Sequence, residues 1–380
     1  MLTLAATLAI LVYGLMSPML GVLLPTYALP AEQQGNLGLV NALGLLIASL
    51  AAGPVIDLTG TKLALLQGLT LLVLSLLSAP NASGYSGLLV VYFVMGLGGG
   101  IVSTAANSLV SGIAPERRGS ALSFLNLFFG LGGILTTLAA SYLLQPLALC
   151  YSVAALTALV LLVNAAVRMP APSSDSGFRL KEAPGLLSHP TLILLALLLF
   201  LYVACEVGVW NWLKTYLMGA GFPAWSAGGV VSYGFAFGIL AGRLVLARLK
   251  LPAVNVLLIA AVLIAITTFA MLTLTSRSAI TAAVFCAGLA MSPVFPTTLA
   301  LVGDHFPRGT ATAMGIAIAS GWLGLAVSSR VIGTLAASAS LRQALLLLPL
   351  LAGAMVLVNL VLQWNLRRTV TLSRELTHLS

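Results

Sequence analysis

The sequence predicts an all-α polytopic membrane protein, with twelve transmembrane helices arranged as two pseudo-symmetric six-helix bundles. Three observations carry that prediction: an extreme apolar composition, the division of the apolar residues into span-length runs, and an internal repeat. Of 380 residues, 60% are hydrophobic and only 7% charged, with a mean hydropathy of +1.11. A soluble domain carries roughly 25% charged residues. A water-soluble fold of this length could not hide so much apolar surface, so lipid must solvate most of it. That excludes a cytosolic enzyme, a secreted disulfide scaffold and a nucleic-acid-binding domain. The three cysteines (Cys150, Cys205, Cys286) stand singly in apolar runs and read as small apolar residues.

A spanning helix needs about 20 apolar residues. Twelve such runs are expected near 4–29, 35–55, 63–79, 87–112, 121–143, 147–167, 191–217, 226–248, 254–275, 279–303, 311–337 and 344–364. Pro30, Pro80-Asn81, Pro115 to Arg118, Pro146, Pro252 and Pro307-Arg308 fall between runs, where proline and polar residues punctuate. Barrel strands would be about ten residues long and alternate in polarity; these runs are longer and uniformly apolar. The start lacks a basic segment and a small-residue cleavage site, so the first run reads as a retained helix.

Loop charge gives the orientation. The even connections and the tail hold Lys62, Arg117, Arg118, Arg168, Arg179, Lys181, Arg243, Arg248, Lys250, Arg308, Arg367, Arg368 and Arg374. The odd connections hold Lys214, Arg277 and Arg342, and Arg330 lies inside a run. Both termini are therefore expected in the cytoplasm, and the net charge of +9 reads as topology rather than nucleic-acid binding. The Pro-, Ser- and charge-rich stretch 169–190 is expected to be a cytoplasmic linker. It divides an N-terminal bundle (1–168) from a C-terminal bundle (191–366), followed by a tail (367–380).

The halves repeat. Leu24-Pro25-Thr26-Tyr27 returns 189 residues later as Leu213-Lys214-Thr215-Tyr216, and Ala52-Gly53 as Ala241-Gly242. Gly96-Leu97 and Leu109-Val110 return 192 residues later as Gly288-Leu289 and Leu301-Val302. Pro115 and Arg118-Gly119 match Pro307 and Arg308-Gly309 at shifts of 192 and 190. Parallel repeats of this kind build many secondary transporters, with the substrate site near mid-membrane between the halves.

The connection Gly53-Pro54-Val55-Ile56-Asp57-Leu58-Thr59-Gly60-Thr61-Lys62 resembles the G-x-x-x-D-x-x-G-x-[RK] loop motif of the major facilitator superfamily. A narrower resemblance is to its fucose/galactose/glucose:proton symporter branch. It rests on Ala105-Ala106-Asn107, on Pro115 to Leu122 running to Phe129-Gly130-Leu131-Gly132, on Tyr202 to Leu213, and on Pro293-Val294-Phe295-Pro296-Thr297. The resemblance implies a twelve-helix rocker-type sugar carrier in a bacterial inner membrane, with polar cavity residues near Asn107 and Asn126. Two departures stand out. Where well-known fucose permease relatives carry carboxylates in helices one and four, this chain has Gly21 and Ser103. Proton coupling must then rest on other residues.

An intramembrane charge costs about 2.5–3.5 kcal/mol on insertion scales and marks function by default. Among the acids only Glu206 lies near the middle of a run. Tyr202, Glu206 and Trp210 follow at i, i+4 and i+8 and share a helix face, with Asn211 beside them and Lys214 close to the same stripe. Carboxylate oxygens accept sugar hydroxyls, while aromatic faces stack on the apolar side of the ring. A carboxyl group withdrawn from water holds its proton more firmly, which makes Glu206 the candidate proton-coupling residue. The alternative is a permanent structural pair with Lys214 or Arg330.

Arg330 is open to pairing with Glu206, outer gating, or binding an anion. Asn41, Asn107 and Asn126 either read sugar hydroxyls or bond neighbouring helices. Trp322 and Tyr233 are candidate stacking surfaces, with packing as the alternative. Gly53, Asp57, Gly60, Lys62, Arg117, Arg118 and Arg243 are expected to form a conformational gate at the cytoplasmic edge. Gly96-Leu97-Gly98-Gly99-Gly100 follows no strand, and reads as helix packing rather than a phosphate loop.

No P-loop, zinc spacing or nucleophile triad occurs, so no enzymatic activity, metal or cofactor is expected. The expected function is alternating-access transport of a monosaccharide or polyol, coupled to protons through Glu206, by a monomer in the bilayer with no nucleic-acid partner. The alternatives are an uncoupled sugar facilitator, or a carrier of organic anions or amphipathic drugs using Arg330 and Lys214.

Overall fold

A computed structural model describes residues 1–169, 183–246 and 251–378. Most of the expected linker 169–190, with Arg179 and Lys181 in it, lies outside the described residues, as do Arg248 and Lys250. Twelve helices are long and apolar enough to cross a membrane: α1 (Leu2–Tyr27), α2 (Gln33–Thr59), α3 (Thr61–Asn81), α4 (Gly84–Ile113), α5 (Pro115–Tyr142), α6 (Pro146–Ala166), α7 (Pro190–Gly219), α8 (Ala224–Val245), α9 (Ala253–Thr273), α10 (Arg277–His305), α11 (Thr310–Ser338) and α12 (Leu341–Arg368). Among the described residues there is no strand. The protein is a multi-pass membrane protein, and an even number of crossings puts the start of α1 and the end of α12 on one side, here called the terminal face.

Proline opens α5, α6 and α7 in the first helical turn, where its missing N–H costs no internal bond. A capping box opens α12: the Ser340 hydroxyl accepts from the Gln343 N–H while the Gln343 side chain accepts from the Ser340 N–H. Interruptions occur at Ser17-Pro18 in α1 and Ser292-Pro293 in α10, and α8 contains a π-helical turn at Val230–Phe235.

One expected boundary is corrected. The second span continues through Pro54 to Thr59 and stops only at Gly60, whose φ of 90° ends the helix. Gly53 and Asp57 therefore sit on a helix and not in a loop. A membrane helix tolerates the proline because its neighbours can re-satisfy freed backbone groups.

The repeat seen in sequence is also a repeat of packing. A Cβ on Gly44 would strike the Phe93 carbonyl, and one on Gly96 the Asn41 carbonyl, locking α2 on α4. In the second half Gly238 meets the Phe285 carbonyl and Gly288 the Phe235 carbonyl, locking α8 on α10 in the same way. Gly132 against the Leu11 carbonyl (α5 on α1) is matched by Gly324 against the Phe200 carbonyl (α11 on α7). Small residues let backbones approach where lipid supplies no hydrophobic drive between helices. Gly96, Gly98 and Gly100 belong to this packing, with neighbours in α2 and α3.

Polar contacts between the halves cluster from mid-span to the terminal face: Trp322 to Ser49, Arg243 with Ser123 and Asn126, Asp57 on the start of α11, and Arg118 with Asp304. The halves close on that side. Toward the other, Trp210, Asn211, Lys214 and Arg330 are exposed and no atom lies within 4 Å of where a Cβ on Gly21 would stand. There Tyr142 and Tyr233 interact across the halves through exposed side chains.

Candidate functional site

The α7 stripe places Glu206 half-buried, with the Tyr202 hydroxyl and the Trp210 indole beside its carboxylate. Tyr202 is only 1% exposed and its hydroxyl has no partner within hydrogen-bond geometry. It lies close enough to Glu206 to interact with its carboxylate. Trp210 keeps a partly exposed face and meets the Phe235 ring edge-on at 5.2 Å, at the end of the π-helical turn in α8.

The cation facing this carboxylate is Arg243 of α8. Arg243 is 6% exposed. Its Nη1 donates to the Asn126 carbonyl of α5, its own carbonyl accepts from Ser123 Oγ at 3.1 Å, and its Nε has no partner. Gly130 leaves room for the guanidinium: a Cβ there would stand 3.2 Å from Nη1. One expectation changes. Arg243 is expected at the cytoplasmic rim, yet it lies buried between the halves within reach of Glu206. Lys214 and Arg330, the alternative structural partners of Glu206, are both exposed, and the ion pair found among the described residues is Arg118–Asp304. Both lie further along the spans, away from the terminal face, whereas Arg243 arrives from the neighbouring helix.

Two buried amides complete the cluster. Asn126 Nδ2 donates to Asn107 Oδ1 at 2.9 Å and to the Leu122 carbonyl, while Asn107 Nδ2 donates to the Ser103 carbonyl at 2.8 Å. A chain of polar groups thus runs from α7 through α8 and α5 to α4, crossing from one half to the other. Thr104 of α4 adds a buried hydroxyl without a partner. Unsatisfied buried polar atoms are costly, and the Tyr202 hydroxyl, Arg243 Nε and the Thr104 hydroxyl are three of them. Ser103 is buried and Gly21 is open.

Other candidates fall elsewhere. Asn41 donates to the Tyr92 carbonyl at 3.1 Å inside the α2–α4 contact. Trp322 is not a free stacking surface: its Nε1 donates to Ser49 Oγ at 3.2 Å across the halves. Tyr233 stacks on Phe237 toward the far side, and Asn211 bonds Ser329 Oγ at 3.3 Å.

At the terminal face Asp57 caps α11, its carboxylate accepting from the Ala311 N–H (3.2 Å), the Thr312 N–H (2.8 Å) and Thr312 Oγ1 (2.6 Å). Gly53 packs so closely that a Cβ would strike the Ala311 carbonyl and Thr312 Cα. Arg118 bridges to Asp304 and donates from Nε to the Ser111 carbonyl. Lys62 instead donates to the Ala165 carbonyl within its own half, and Arg117 is exposed. Ser49 and Ser123 are not legible as functional residues in the sequence; Thr312, in the first turn of a span, carries a readable signal that the sequence reading missed. Among the described residues no cluster of His, Cys, Asp or Glu is placed to hold a metal ion.

The sequence profile of the Major Facilitator Superfamily matches residues 2–251. The chain belongs to that superfamily. It is therefore a transporter and not an enzyme. No curated protein matches the chain. Among solved structures, this facilitator is similar to the Escherichia coli fucose:proton symporter, with a TM-score of 0.81 at 18% identity over 95% of this chain and 98% of that one. It is also similar to the human organic anion transporter MFSD10 (TM-score 0.77, 17% identity, covering 94% and 97%). A third similar structure is a proton:xylose symporter (TM-score 0.73, 17% identity, covering 96% and 94%). At these identities the likeness establishes the fold.

Proposed function

We propose that the protein carries a monosaccharide or related polyol across a bacterial inner membrane, by alternating access and in symport with a proton, with both termini cytoplasmic. The observation that carries this reading is the station around Glu206. One carboxylate, one buried cation, two buried amides and a partly exposed indole meet between the halves. The amides of Asn107 and Asn126 offer donors and acceptors to ring hydroxyls, and Trp210 offers a face to the C–H side of the sugar. Glu206 faces Arg243 when ionised. On taking a proton it leaves Arg243 without a counter-charge, and the loaded carrier reorients by releasing the contact with Asn126. The sugar:proton symporters among the similar structures support the same substrate class.

The test is to reconstitute the protein in proteoliposomes on a solid-supported membrane and to jump neutral monosaccharides at several pH values. A pH-dependent inward positive transient, lost in Glu206→Gln, is the expected result. Tracer sugar flux without current or accumulation would identify an uncoupled facilitator. A second reading, transport of organic anions, is favoured by Lys214 and Arg330, exposed without an acidic partner. An anion-driven current lost in Arg330→Gln would establish it and displace the sugar.

A further inference from the structure

A cavity of about 650 Å³ lies at the end of the second half away from the terminal face, among the ends of α7 and α9 and the starts of α10 and α12. It is built by the second half alone, so rocking of the two halves does not divide it and it is separate from the Glu206 station. Arg342 is fixed at its edge: Nε donates to the Leu272 carbonyl at 3.0 Å, the same oxygen that accepts from the Tyr216 hydroxyl at 3.3 Å. Its two Nη groups have no hydrogen-bond or ion-pair partner among the described residues. A guanidinium held by Nε, with both terminal nitrogens free, is preorganised for a bidentate oxyanion, and phosphate fits that fork well.

The rest of the lining selects the source of the phosphate. Leu274 and Leu341 form an accessible apolar wall, with Leu272 and Ile280 buried behind it, and Thr215 and Thr275 supply hydroxyls. A free anion has no use for the apolar wall. A phospholipid does, because its headgroup lies at the level where spans end and its chains continue along apolar surface. We infer that this cavity binds the phosphate of an anionic phospholipid through Arg342, with the acyl region against Leu274 and Leu341.

The test uses the full chain in detergent micelles, titrated with phosphatidylglycerol or phosphatidylcholine and read by native mass spectrometry. Phosphatidylglycerol is expected to be retained in preference. Arg342→Gln should weaken it about tenfold, or about 1.4 kcal/mol. Leu274→Glu, which puts a negative charge in the lining at a position 40% exposed, should weaken it similarly, with melting curves confirming that both variants fold. Equal retention by the wild type and both variants overturns the inference. Displacement of the lipid by an equal concentration of inorganic phosphate overturns it too, because the site would then take the free ion.

Discussion

Arg243 and Asn126 lie in opposite halves of the protein and are joined by a hydrogen bond from the guanidinium to a backbone carbonyl. The bond survives any substitution of the Asn126 side chain, so the Arg243 end alone controls it. Glu206 faces the same guanidinium. The two charges are close enough to influence each other without forming an ion pair, and a buried cation that loses its counter-charge is destabilised. Arg243→Gln should lower the melting temperature clearly, and Glu206→Gln/Arg243→Gln should recover part of the loss. Thermal unfolding of the two single variants and the double variant, treated as a cycle, measures the coupling. Strict additivity would separate the two residues energetically.

Asp57 joins the two halves at the terminal face by capping α11 with three hydrogen bonds. Loss of a helix cap costs about 0.5–2 kcal/mol, which is a factor of about 2–30 in a conformational equilibrium. Asp57→Ala should therefore raise the population open on the terminal face by that factor. Spin labels at Thr59 and Arg308, exposed positions in opposite halves, report it as a longer distance component. An unchanged distance distribution would show that Asp57 does not hold the gate.

Spans, repeat and gate motif are legible in the sequence for a physical reason. Lipid forces apolar runs, and a carboxylate beside small residues at a span end has few uses other than capping. Which helix neighbours which is not legible. Spacing along α7 puts Tyr202, Glu206 and Trp210 on one face, but the cation opposite them comes from α8. Arg243, near the end of an apolar run, looks like an edge charge until packing shows its side chain turned into the interface. Trp322 is similar: one residue contains nothing to say that Ser49, far away in the chain, stands within 3.2 Å. Pro54 misleads in the other direction, since proline ends most soluble helices yet sits inside α2.

Gly53 and Gly96 face the same steric problem with different consequences. A Cβ at either would strike the backbone of a facing helix. Gly96 packs within the first half, against α2, whereas Gly53 packs across the halves, against α11. Gly96→Val should destroy packing and abolish folded protein in the membrane. Gly53→Val should leave each half intact and force the terminal face apart. Size-exclusion profiles separate the two outcomes, and the labels at Thr59 and Arg308 show the opening. A misfolded Gly53→Val would mean that the halves are not independent packing units.

The amide pair distinguishes a sugar-reading role from a structural one. Asn107→Ala removes the acceptor of the 2.9 Å bond from Asn126 and one donor-acceptor group from the station. If the pair only ties α4 to α5, the loss is that of one interhelical hydrogen bond in a membrane, about 0.6 kcal/mol, seen as a small drop in melting temperature with KM unchanged. If it reads substrate hydroxyls, one lost hydrogen bond of about 0.5–1.5 kcal/mol raises KM about 2–13-fold. The sugar reading predicts the second pattern, and Asn107→Gln, which keeps the amide, should restore part of the affinity. Tracer-uptake kinetics in proteoliposomes measure both. An unchanged KM in Asn107→Ala would remove the pair from the binding site and leave Glu206 and Trp210 to hold the sugar.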